Sequence, residues 1–174
     1  MNWNAVGAIG EVVGALAVVV TLAYFATQVR QLTRRSQQDA ITAFEERMTR
    51  VPRMFVVDEA LVRLWGKGLT NWGSLTKDEQ ARVHLIWIEL LNQLYTGYML
   101  RNRGELPEDV YLPWEIAIVA QLNTEGGKEW GRMAGSGLHP DFWAHLRTRI
   151  ESEAAAPSLR PLREREPWWF ADDA

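Results

Sequence analysis

Asn4 to Val29 reads NAVGAIGEVVGALAVVVTLAYFATQV, and the fold of the chain turns on how this run is read. Lys plus Arg number 19 and Asp plus Glu 22 over 174 residues, yet only Glu11 among them falls within residues 1–29. A helix over Ala5 to Thr27 would extend roughly 34 Å, enough to cross a ~30 Å hydrocarbon core with some tilt. Met-Asn-Trp precedes the run, whereas Arg30, Arg34 and Arg35 follow it. A secretory signal would carry its positive charge ahead of a shorter apolar core, so this order predicts a retained single-pass anchor. The positive-inside rule then places the N-terminus outside and the larger domain in the cytoplasm, which predicts a bacterial inner (cytoplasmic) membrane protein. Trp3 and Tyr24 are expected interfacial anchors, as are Arg30, Arg34 and Arg35, so membrane lipid is an expected partner.

One face of the expected span is small and polar. Gly7, Gly10, Gly14, Ala17, Thr21 and Gln28 fall on one helical stripe, while Ile9, Val12, Val13, Leu16, Val19, Val20 and Leu22 cover the rest. In lipid, helices associate through close packing and interhelical hydrogen bonds, and this stripe permits both. It predicts a helix–helix interface, in a homo-oligomer or with a subunit of a larger membrane complex. Glu11 lies on the same side. A carboxylate facing lipid costs ~3 kcal/mol or more at mid-membrane. Glu11 is therefore a pore or polar site in an oligomer, a structural interhelical hydrogen-bonding group, or a solvated headgroup-level residue if the span begins nearer Val12.

Beyond the span, composition and periodicity predict an all-α protein, with the transmembrane helix continuing into a helical cytoplasmic domain. The expected divisions are 1–29 for the transmembrane helix, 30–155 for the domain and 156–174 for a Pro-rich aromatic tail. Val29 to Val51 has no Gly or Pro and predicts continuation of the first helix, with a stripe of Ile41, Phe44, Met48 and Val51 that packs on the domain or forms a stalk. A second helix is expected over Arg53 to about Trp65. Thr76-Lys77-Asp78-Glu79 is a capping-box pattern opening a helix to about Arg103, before Gly104. Val83, Ile86, Trp87, Leu90, Leu91, Leu94, Tyr95 and Tyr98 form its core stripe. Further helices are expected over Pro107–Leu122, where Pro113 is a restart or a kink, and from His139-Pro140-Asp141 toward Glu153, with a glycine-broken piece over Thr124–Gly137 between them.

The tail contains Trp168, Trp169 and Phe170, three consecutive aromatics that are costly to leave in water and are expected to dock on a neighbouring surface or the headgroup region. Nine Trp in all suit aromatic cores or an interfacial belt.

No chemistry-bearing motif emerges. The chain has no Cys, which excludes disulfides, thiolate metal sites and cysteine nucleophiles. An acidic pI of about 5.7 with dispersed basic residues argues against nucleic acid. Phosphate loops, nucleophile elbows, zinc-protease and dinucleotide signatures are lacking, and Gly126-Gly127 and Gly135-Ser136-Gly137 are too short to replace them. His84, His139 and His145 show no helical metal spacing; His84 is expected at the edge of a core stripe and His145 on a solvated face. Glu45-Glu46, Asp58-Glu59 and Asp78-Glu79 read as solvated or capping charges. The expectation is a non-enzymatic protein with no catalytic residue, metal or cofactor.

Trp3-Asn4-Ala5-Val6-Gly7-Ala8-Ile9-Gly10-Glu11-Val12-Val13-Gly14 and Tyr24-Phe25-Ala26-Thr27-Gln28-Val29-Arg30-Gln31-Leu32-Thr33-Arg34 resemble the opening of a widespread group of uncharacterised bacterial single-span membrane proteins. Similar marks follow at Gly68-Leu69, Ser74-Leu75-Thr76, Gly104-Glu105-Leu106, Gly126-Gly127-Lys128-Glu129-Trp130 and His139-Pro140-Asp141-Phe142-Trp143. The resemblance implies an N-terminal anchor and a helical cytoplasmic domain. It supplies no activity, and the tail falls outside it.

Overall fold

The computed structural model describes the backbone of residues 3–155 and the side-chain surroundings of residues 14, 16 and 18–152 apart from Ser136. The described residues form an all-α structure: α1 (Trp3–Met48), α2 (Arg50–Val57), α3 (Glu59–Thr70), α4 (Lys77–Asn102), α5 (Glu108–Leu122), α6 (Glu125–Ala134) and α7 (Pro140–Ala155). Short 3-10 turns at Trp72–Ser74 and Gly135–Gly137 join α3 to α4 and α6 to α7. The chain divides into two compact units, the first ending at Ala40 and the second beginning at Ile41. Among the described residues no helix is long and apolar enough to cross a membrane. The run read as a span also draws on Trp3, Gly7, Gly10, Glu11 and Ala17, whose surroundings lie outside the described residues, as do residues 156–174 with Trp168, Trp169 and Phe170.

The first unit is the N-terminal stretch of α1. Leu16, Val18, Val19, Val20, Leu22, Phe25, Val29 and Leu32 are all exposed on it, and at 3.6 residues per turn they cover most of the circumference. Two of its hydroxyls bond back to the helix: Thr27 Oγ1 donates to the Tyr24 carbonyl at 2.7 Å and Thr33 Oγ1 to that of Val29 at 3.0 Å.

The second unit is built around α4. The capping box forms as its sequence requires: Thr76 Oγ1 accepts from the Glu79 N–H, and the Thr76 N–H donates to Glu79 Oε2 at 2.7 Å. Val83, Ile86, Trp87, Leu90, Leu91 and Leu94 are buried along one stripe. The helix stops before Gly104, whose φ of 73° is the left-handed conformation that glycine adopts without a Cβ clash. The stripe of Phe44, Met48 and Val51 is buried within this unit, so it packs on the domain. A Cβ on Gly97 of α4 would lie 2.3 Å from the Phe44 ring, so the bare backbone there is what lets the ring approach.

The helix expected over Arg53–Trp65 is instead divided. Asp58 has an extended backbone (φ −130°, ψ 95°) and its carboxylate accepts from the Leu61 N–H at 3.1 Å, so it caps α3 and ends α2. Pro52 falls in the first turn of α2, where no intrahelical donor is needed, rather than ahead of a helix starting at Arg53. Pro113 lies inside one continuous α5.

Trp65, Trp87 and Trp130 bring α3, α4 and α6 together, with ring centroids 4.8 Å and 5.1 Å apart along the row. Two indoles find polar partners: Trp130 Nε1 donates to His84 Nδ1 and Trp65 Nε1 to Gln121 Oε1, each at 3.2 Å. The backbones of α3 and α6 meet at Gly68 and Gly126, where a Cβ on Gly126 would sit 1.9 Å from the Gly68 carbonyl oxygen.

Candidate functional site

The interface stripe read from the sequence is described at Gly14, Thr21 and Gln28. These stand seven residues apart, two helical turns, and therefore on one face of α1. A Cβ on Gly14 would meet nothing within 4 Å, and Thr21 is exposed while Gln28 is half-buried. Tyr24, Arg30, Arg34 and Arg35 are exposed as well. The stripe is thus exposed at Gly14 and Thr21 and half-covered at Gln28, beside apolar side chains that are exposed.

A second polar grouping lies inside the helical domain, at a place the sequence reading missed. Glu115 of α5 is 1% exposed, and its Oε1 meets His145 Nε2 and, at 3.4 Å, Arg149 Nε, both from α7. His145 was expected on a solvated face. It is instead half-buried against Glu115 and packed on Tyr98, with ring centroids 5.0 Å apart and the planes tilted by 40°. The Tyr111 hydroxyl is buried one turn away on α5 without a hydrogen-bond partner. Burial, and then the Glu115 carboxylate, push this phenol well above its ordinary value. His145 and Arg149 share a face of α7 because they are four residues apart, a signal visible in the sequence. Their acidic partner, 30 residues upstream of His145, was not. The cluster ties α5 to α7, with the Glu115 carboxyl group set between His145 and Arg149.

The opposite face of α7 lines an open cleft of about 710 Å3 against α6. Leu122, Trp143 and Ile150 contribute apolar surface, and Lys128, Arg132 and Arg147 add three cations. The Trp143 indole lies directly against Gly131 and Gly135, where Cβ atoms would stand 3.2 Å and 2.3 Å from its ring. Among the described residues no Asp or Glu lines the cleft. None of its three cations is paired with a carboxylate among the described residues. Among those residues, no three His, Asp or Glu side chains are grouped to hold a metal ion.

Compared with protein-family models, curated proteins and solved structures, the chain matches none.

Proposed function

We propose that the protein is a non-enzymatic, single-pass inner-membrane protein that self-assembles through the Gly7, Gly10, Gly14, Ala17, Thr21 and Gln28 face of α1. The observation that carries this reading is the exposure of Leu16 to Leu32: Val20 is 67% and Leu22 62% exposed on a helix whose apolar side chains occupy most of its circumference. Such a surface needs lipid or protein around it. The back-bonded Thr27 hydroxyl suits an apolar medium, since its donor is already used. Arg30, Arg34 and Arg35 set the orientation, with the helical domain in the cytoplasm. In the sharpest form of this reading, Glu11 carboxylates gather around the assembly axis and attract cations to a pore.

The alternative is an accessory or scaffold subunit of a larger membrane complex. The exposed end of α2 favours it: Val56 is 88% and Val57 86% exposed beside an exposed Met54, an apolar tip on a domain whose own core is complete without it.

Native mass spectrometry of the protein extracted gently from its host membrane separates the two. A discrete homo-oligomer that Gly14→Leu dissociates is the expected result, because the leucine fills the face across which backbones approach. An unchanged mass for that variant overturns the packing argument. Stoichiometric foreign subunits instead transfer the function to those partners. If the homo-oligomer conducts, Glu11→Gln reduces its cation conductance.

A further inference from the structure

We propose that the cleft between α6 and α7 is the docking site of the chain's own segment 166–173, EPWWFADD, with Trp168, Trp169 and Phe170 on the apolar surface and the acidic residues against Lys128, Arg132 and Arg147. Shape and polarity point to this occupant. A volume of about 710 Å3 lies in the ~300–1,000 Å3 range of pockets that enclose a compact apolar ligand. Its walls include the Trp143 indole, and aromatic rings pack on one another in offset or edge-to-face arrangements. Aromatic side chains bury about 150–250 Å2 each, so three of them gain most from a ready apolar surface.

Charge selects the same segment. Lys128, Arg132 and Arg147 have no carboxylate partner among the described residues. Segment 166–173 carries Glu166, Asp172 and Asp173 and no basic residue, whereas the preceding 160–165 carries Arg160, Arg163 and Arg165 against the single Glu164. The acidic charge therefore brackets the aromatic trio, and the basic charge lies in the stretch leading to it.

The tether reaches. Residues 156–167 separate the end of α7 from Trp168 and extend to ~40 Å, while α7 itself measures about 24 Å from Pro140 to Ala155. The segment can thus fold back along the whole of α7 to the cleft. Tethering within one chain raises its effective concentration at the cleft, which favours it over an untethered competitor.

The absence of native cysteine permits a direct test on the full chain in detergent. Nitroxides are attached to Met133→Cys, an exposed position on α6 outside the cleft lining, and Ala171→Cys, and their separation is read by pulsed electron paramagnetic resonance. The expected result is a narrow, short-distance population that survives dilution with unlabelled protein and addition of phosphatidylglycerol vesicles. It should broaden in a Trp168→Ala/Trp169→Ala/Phe170→Ala variant and in Lys128→Glu/Arg147→Glu. The latter changes exposed side chains, and an unaltered melting temperature verifies its fold. A broad distribution in the parent overturns the proposal, as does a narrow one indifferent to the charge reversals. Loss of the signal on dilution places the segment in a neighbouring copy, and loss on adding vesicles gives it to the lipid surface; either outcome overturns docking within one chain.

Discussion

The first unit's stretch of α1 and the whole of α4 are both rich in large apolar side chains, and they meet opposite surroundings. On α4 the apolar residues recur at three and four, leaving a polar back, and the domain covers the stripe from Val83 to Leu94. On α1 the apolar residues between Leu16 and Leu32 spread around most of the helix and stay exposed. The difference lies in periodicity rather than in content. A stripe can be covered by neighbouring helices of the same chain, whereas an apolar cylinder needs a surrounding medium or several partners. The same contrast separates the glycines. Gly126 is a point of backbone contact inside the domain, whereas a Cβ on Gly14 would meet nothing within 4 Å among the described residues.

The comparison breaks most readily at the tryptophan row. Trp130→Ala deletes a fully buried indole and removes the donor to His84 Nδ1, so the helical domain should lose ~3–5 kcal/mol of stability. Leu22→Ala, on the exposed part of α1, should leave the domain's unfolding midpoint nearly unchanged. Denaturant unfolding of both variants in one detergent, followed by circular dichroism, decides the matter. Equal losses would mean that α1 and the domain share one core.

A smaller effect sharpens the same contrast at the glycines. Gly126→Ala forces a Cβ against the Gly68 carbonyl, a backbone atom that cannot swing aside, and should cost ~1–3 kcal/mol as an overpacked contact. Gly14→Ala should not destabilise α1 at all, because alanine is the better helix former and meets nothing within 4 Å. Melting temperatures of the two variants should therefore separate clearly, and a tolerated Gly126→Ala would mean that α3 and α6 part easily.

Much of this architecture is legible along the chain because its causes are local. The α4 capping box, its apolar stripe and the stop at Gly104 each depend on residues within a few positions of one another. Asp58 shows the limit: Asp58-Glu59 reads as solvated or capping charges, and only the extended backbone at Asp58 shows that its carboxylate caps α3 and divides the helix expected over Arg53–Trp65. The Glu115–His145–Arg149 cluster was illegible for another reason. His145 and Arg149 stand one turn apart, but only the packing of α5 on α7 supplies the buried acid between them. The α6–α7 cleft is hidden likewise, since Lys128 and Arg147 belong to different helices.

The smallest expected effect concerns how α4 begins, and it distinguishes a helix held partly by its own cap from one held by its surroundings. The Thr76 N–H, and after it Lys67 Nζ at 3.1 Å, hydrogen-bond the Glu79 carboxylate and hold it below the ordinary carboxylate range. A group depressed in this way stabilises the folded state above its unfolded value, and the contribution is lost as pH falls through the folded one. Glu79→Gln keeps an acceptor for the Thr76 N–H but loses the charge that Lys67 meets. The parent should therefore melt slightly higher than Glu79→Gln at neutral pH, and the difference should close as pH drops below the ordinary carboxylate range. Thr76→Ala should lower stability by ~1 kcal/mol, because the first turn then loses its hydroxyl acceptor. A gap between parent and Glu79→Gln that stays constant with pH would assign the effect to packing and remove the carboxylate from the account of how α4 starts.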